Sequence, residues 1–90
     1  MLELLFTNQF KKDFKNIRKL PFKELKVVFD LISKLENQVK LEAKFKDHDL
    51  SGNYIGYREC HIKPDLLLIY KANETQLFLT RIGSHSELFG

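Results

Sequence analysis

All three histidines of the chain lie in its second half, each within a charged segment. These are Lys46-Asp47-His48, then Arg58-Glu59-Cys60-His61-Ile62-Lys63-Pro64-Asp65, then Arg81-Ile82-Gly83-Ser84-His85-Ser86-Glu87-Leu88-Phe89. Imidazole can both take and give a proton near neutral pH. Arg58 and Arg81 stand close in sequence to two of the histidines and could hold an anion. These residue types suit acid–base chemistry on an anionic substrate. The first half of the chain carries none of them except basic residues.

Other chemistries fit less well. Three histidines are adequate ligands for zinc. The close His–His or Cys–Cys spacing that marks metal motifs is missing, so neither a metal site nor a cofactor is expected. No glycine loop to cradle a phosphate and no nucleophile elbow is present. Cys60 is the only cysteine. Strand alternation points it away from His61, so it reads as a small buried hydrophobe rather than a nucleophile.

The chemistry needs a scaffold. Leu2 to Thr7 is a short apolar run and reads as a strand. Thr7 or Asn8 can cap a helix in which Phe10, Phe14 and Ile17 share one face. Pro21 suits the first turn of a second helix, with Leu25, Val28, Phe29, Ile32 and Leu35 as its apolar stripe. Two amphipathic helices with a short link imply a helical hairpin. Residues 37–56 are polar and irregular and read as a long loop with at most a short strand. Strands are expected over Tyr57–Lys63, Leu66–Tyr70 and Leu77–Ile82, joined by turns at Pro64-Asp65 and Asn73-Glu74-Thr75. Residues after Gly83 read as a short tail.

This order is α+β: an N-terminal strand, a two-helix hairpin, then an antiparallel sheet of three or four strands. Helices cover one sheet face, and the other is left partly open for a ligand. Alternation puts Tyr57, Glu59, His61 and Lys63 on the open face, with Arg58, Cys60 and Ile62 opposite. In the last strand Leu77, Leu79 and Arg81 share one face and Phe78, Thr80 and Ile82 the other, and either could be core. Asp65 could orient a histidine, act as a base, or simply make the turn.

Ninety residues, 43% of them hydrophobic, suit one packed domain spanning 1–90. No apolar run approaches the roughly 20 residues of a membrane span, so no membrane partner is expected. Met1 to Phe6 lacks the basic and small-residue features of a signal peptide, and one cysteine suits the cytoplasm. Charge is uneven. Residues 8–26 hold seven basic side chains, Lys11, Lys12 and Lys15 among them, against two acids, whereas residues 51–90 are balanced. A basic segment beside a neutral reactive one suits a polyanion such as RNA, although a lysine-rich run is more often a solvated face.

The segments from Lys46 to Gly52, Tyr57 to Tyr70 and Arg81 to Phe89 resemble the YafQ branch of the RelE-like toxins. These are the toxin halves of bacterial type II toxin–antitoxin modules. The order of elements is similar too, so the resemblance spans nearly the whole chain. It implies a metal-independent endoribonuclease that cleaves mRNA in the ribosomal A site, with the 2′-OH as internal nucleophile. It further implies neutralisation by a cognate antitoxin, and contact with operator DNA only through that antitoxin. The catalytic positions it implies fall on His48, His61, Asp65 and His85, with Arg81 as an electrostatic partner. The tail aromatic it implies falls on Phe89, and close relatives also implicate Glu59, both taken as RNA-binding; Arg58, Lys11, Lys12 and Lys15 are expected RNA contacts by their charge, the lysines toward ribosomal RNA. The resemblance leaves open which histidine is base and which acid; His85 is the favoured acid, with Asp65 or His48 assisting deprotonation. An alternative keeps the fold mainly as an antitoxin-binding, co-repressing module with weak or no cleavage. Another is a zinc-dependent hydrolase.

Overall fold

The computed structural model describes residues 1–90. Its elements run β1 (Glu3–Phe6), α1 (Asn8–Ile17), α2 (Phe22–Glu36), β2 (His48–Asp49), β3 (Arg58–Lys63), β4 (Leu66–Ala72), β5 (Gln76–Gly83) and α3 (His85–Phe89). Short 3-10 turns at Ala43–Phe45 and Gly52–Tyr54 interrupt the segment expected to be loop. All five strands join one sheet in the order β1-β5-β4-β3-β2. β1 runs parallel to β5, and the other pairs are antiparallel.

Local chemistry explains the helices. The Thr7 side chain accepts the N–H of Phe10 at 2.9 Å, which satisfies a helix-start donor that would otherwise lack a partner. Its hydroxyl also donates to the Thr80 carbonyl at 2.7 Å, which ties α1 to β5. Phe10 and Ile17 are buried. In α2 the buried residues are Val28, Leu31 and Ile32, not the full stripe read from sequence. Phe29 is half exposed at 53%, and its ring meets Phe14 of α1 at 5.9 Å. Pro21 precedes the first turn of α2 rather than occupying it.

The helices cover one face of the sheet. A core of 15 buried residues joins Phe10, Ile17, Val28 and Leu31 to Cys60, Leu68, Tyr70, Leu77, Leu79 and Ile82. The opposite face holds a smaller cluster of Leu67, Ile69 and Leu88, with Leu50, Tyr54 and Tyr57 packed against it. Leu67 and Ile69 are fully buried although no long helix covers them.

The last strand resolves the ambiguity left by alternation. Tyr70 pairs with Leu79, but Ile69 pairs with Arg81, so one extra residue is accommodated in β5. This is a β-bulge. It keeps Leu77, Leu79 and Ile82 together in the helix-side core and turns Arg81 to the Ile69 side of the sheet. The Leu77–Leu79–Arg81 face expected from strict alternation therefore breaks at the bulge. The tail after Gly83 is a helix, not an irregular end. Ser84 and Glu87 form a capping box, with the Ser84 side chain taking the Glu87 N–H and the Glu87 carboxylate taking the Ser84 N–H.

Candidate active site

Register brings the reactive residues to the face away from the long helices. His48 on β2 pairs with Glu59 on β3. Glu59 pairs with Ile69, and His61 with Leu67, so all three side chains stand on the Leu67–Ile69 side. α3 then lays His85 and Leu88 over that same side, since Leu88 belongs to its cluster. The three imidazoles form an arc. The His48 and His61 ring centres are 5.9 Å apart, and those of His61 and His85 are 5.8 Å apart. The arc continues through Phe89, 6.5 Å from His85, to Tyr54, 5.7 Å from Phe89.

Hydrogen bonds assign the imidazole nitrogens. His48 Nδ1 lies 2.5 Å from the Lys46 carbonyl, which can only accept, so Nδ1 carries hydrogen. His48 Nε2 faces Glu59 at 3.9 Å. Lys46 sits in the left-handed region at φ 50°, which is uncommon for a residue with a Cβ, and this conformation presents its carbonyl to His48. His85 Nδ1 lies 2.8 Å from Asp65 Oδ1, and the His85 backbone N–H donates to the same oxygen at 2.9 Å. Carboxylate oxygen accepts here, so Nδ1 is again the donor and Nε2 is left to exchange a proton.

Glu59 is the buried charge of the site, at 4% exposure. Its carboxylate contacts His61 Nε2 at 3.2 Å. Burial depresses the His61 pKa below its ordinary value; the Glu59 charge opposes that shift, while His48, Lys46 and His85 add to it. The Asp65 carboxyl is held below the usual range by the His85 backbone N–H and then by its side chain. Cys60 is fully buried on the opposite face, and burial pushes its thiol up to about 12. That agrees with its expected role as a buried hydrophobe.

Two openings flank the arc. One cleft of about 420 Å³ lies beside His61 and is lined by Lys44, Lys46 and Lys63. Another of about 690 Å³ lies at the far end, lined by Ser51, Asn53, Tyr54 and Phe89. His48, Glu59 and His61 also offer three ligand atoms within 4.8 Å of one another, a set chemically able to hold a transition-metal ion.

The family described as "Bacterial toxin of type II toxin-antitoxin system, YafQ" matches residues 2–90. This chain belongs to that family. The mRNA interferase toxin YafQ of Escherichia coli K12 is 37% identical over 90 residues, covering 98% of this chain and 96% of the relative. The crystal structure of a metal-bound toxin from Helicobacter pylori is 45% identical, with TM-score 0.88, covering 99% of this chain and 100% of that one. The YafQ toxin in the E. coli DinJ–YafQ toxin–antitoxin complex is 37% identical, with TM-score 0.83, covering 99% and 98%. The α+β fold expected from sequence is thus the YafQ fold: β2 is the short strand allowed for within residues 37–56, and the terminal helix α3 is added to the expected elements.

Not every site residue named from sequence joins the arc of this YafQ-family chain. Arg58 pairs with Tyr70, a residue of the helix-side core, so its side chain leaves the sheet on the face opposite the histidines. There it is held by Asp47 at 3.2 Å and Asp49 at 2.6 Å. This geometry sets it apart from the histidine arc. Glu59 was expected at a substrate-binding position, but it is buried and turned to His48 and His61. Arg81 reaches the open face through the bulge, yet its guanidinium is already engaged by Asp13. Lys11, Lys12 and Lys15 are exposed on α1, outside the arc. Sequence reading missed Asp13 and Tyr54. The first is the sole acid of a lysine-rich helix, and that isolation was its one available signal.

Proposed function

We propose that this chain is an mRNA interferase, an endoribonuclease that cleaves by attack of a ribose 2′-OH on the adjacent phosphate. The observation that carries the reading is the arc of three imidazoles with Asp65 behind one and Glu59 behind the other two. The family name and the activity named for the E. coli relative support it.

In this mechanism His48 Nε2 takes the 2′-OH proton as O2′ bonds to phosphorus. Arg81 and the imidazolium groups stabilise the charge that builds on the phosphorane. The P–O5′ bond breaks, and His85 Nε2 gives its proton to O5′. The products are a 2′,3′-cyclic phosphate and a 5′-OH. Asp65 serves His85 in this scheme, which leaves His48 rather than Asp65 to assist deprotonation. The lysine-lined cleft beside His61 would follow the backbone, and Phe89 with Tyr54 would receive a base. The exposed lysines of α1 would contact ribosomal RNA, and a cognate antitoxin would neutralise the toxin, as DinJ assembles with YafQ in E. coli.

The test is cleavage of a ribosome-bound message carrying a single 2′-deoxy nucleotide at the cut site. Loss of cleavage there, with a cyclic phosphate on the normal product, is the expected result. Cleavage of the deoxy substrate overturns the mechanism. A second reading has the His48–Glu59–His61 set hold a metal ion, which the metal-bound H. pylori relative favours. A metal on His48 would occupy the lone pair that the first reading needs for the proton. Persistence of cleavage in EDTA supports the first reading; restoration by an added metal after chelation supports the second.

A further inference from the structure

Asp13 is the one acid on α1, a helix otherwise rich in exposed lysines. Its carboxylate turns to the end of β5. There it accepts Arg81 Nε–H at 2.8 Å and Arg81 Nη2–H at 3.2 Å. It also takes the backbone N–H of Ile82 at 3.1 Å and the Gln9 side-chain amide at 3.2 Å. The Asp13 and Arg81 side chains are 10% and 21% exposed, so this contact is largely shielded from water.

The two-toothed contact fixes a plane as well as a position. It uses Nε–H and one Nη2–H, and leaves three N–H groups on the outer edge of the guanidinium. Tyr54, whose ring packs on Phe89, stands on the same face of the sheet. Two independent devices therefore aim Arg81. The β5 bulge turns it to the histidine face, and Asp13 then holds it there.

We infer that Asp13 is a positioning residue for RNA cleavage, holding the Arg81 guanidinium so that its outer edge meets the scissile phosphate. The inference rests on the nuclease reading above and adds a residue from the helical half to it. Asp13 touches no reacting atom. Its effect is to remove the rotational freedom that Arg81 would otherwise lose in the transition state. It also joins the lysine-bearing helix rigidly to the reactive face.

The experiment measures cleavage of ribosome-bound message by the full chain and by Asp13→Asn, Asp13→Glu, Arg81→Ala and Asp13→Asn/Arg81→Ala, with thermal melts of each. Asp13→Asn should lower kcat by about 10- to 100-fold, the size of effect that misplacing a reacting group by about 1 Å can produce. Its KM should stay within a few-fold of wild type. Asp13→Glu keeps the charge but moves the contact, and should lose an intermediate amount. If Asp13→Asn does not fold, Asp13→Glu carries the same comparison, alone and on the Arg81→Ala background. In the Arg81→Ala background neither Asp13 change should lower kcat further. Folded Asp13 variants with wild-type kcat, or losses that add to that of Arg81→Ala, overturn this inference alone. A wild-type chain that leaves the message intact overturns the nuclease reading and this inference together.

Discussion

Asp65 and His85 are joined twice, since one carboxylate oxygen accepts both the ring Nδ1–H and the backbone N–H of His85, at 2.8 and 2.9 Å. The two residues lie 20 positions apart, one at the β3–β4 turn and the other at the start of α3. The pair fixes both the ring tautomer and the place where α3 begins. In the proposed mechanism Asp65 acts through His85.

The first prediction follows from that pairing. His85→Ala should lower cleavage by roughly 10²–10⁴-fold, as loss of a positioned general acid does. Asp65→Asn should lose less, because the imidazole stays in place. The double variant should be no worse than His85→Ala alone. Rates on ribosome-bound message, taken with melts showing a folded protein, decide it. A double variant markedly slower than His85→Ala would give Asp65 a role of its own.

Glu59 offers a second test, read by histidine NMR titration. Its carboxylate lies 3.2 Å from His61 Nε2 and favours the charged ring, while burial disfavours it. Glu59→Gln keeps the shape and removes the charge. The His61 titration should then move to still lower pH. A move upward would show that Glu59 does not act on His61 by its charge.

Acid should destabilise the protein in two steps. His61 titrates below its ordinary value of 6.5 when folded. The unfolded chain therefore takes that proton first, and stability present above this pH declines as pH falls through the folded value. Asp13 and Asp65 have carboxyls lowered from 3.8. For Asp13 burial would raise the value, but the bonds from Arg81, Ile82 and Gln9 outweigh it. Their contributions hold above 3.8 and fade as pH falls further. Thermal melts across this range should show both declines, and Asp13→Asn should flatten only the lower one. An unchanged lower step in that variant would mean that Asp13 is not among its causes.

The lysines of α1 yield a prediction about binding rather than chemistry. Lys11→Glu/Lys12→Glu/Lys15→Glu should weaken ribosome binding and reduce its dependence on salt, because fewer counterions are released on association. These side chains are exposed and off the buried Phe10–Ile17 stripe, so stability should change by roughly 0.5 kcal/mol or less per site. Equal affinity and equal salt slope in the triple variant would make the lysines a solvated face only.

Much of this architecture is legible because it rests on short-range rules. The Thr7 cap, the Phe10–Ile17 stripe and the Pro64-Asp65 turn each need only a few neighbouring residues to specify them. Period-two alternation places Cys60 and Ile62 in the core and His61 on the open face without knowledge of any other strand. The chemical types in the reactive segments are likewise a property of sequence alone.

Tertiary structure decided the rest. A bulge is one residue of extra length that leaves no local signal, so only the pairing of β4 with β5 could turn Arg81 away from Leu77 and Leu79. Alternation gave Glu59 the correct face but not its burial, which comes from where His48 and His61 lie around it. Alternation already sets Arg58 on the face opposite His61, but only the fold brings Asp47 and Asp49 to its guanidinium there. Asp13 meets Arg81 across 68 positions of chain. Such a contact depends on how α1 crosses the end of β5, and neither segment by itself encodes where the other will lie.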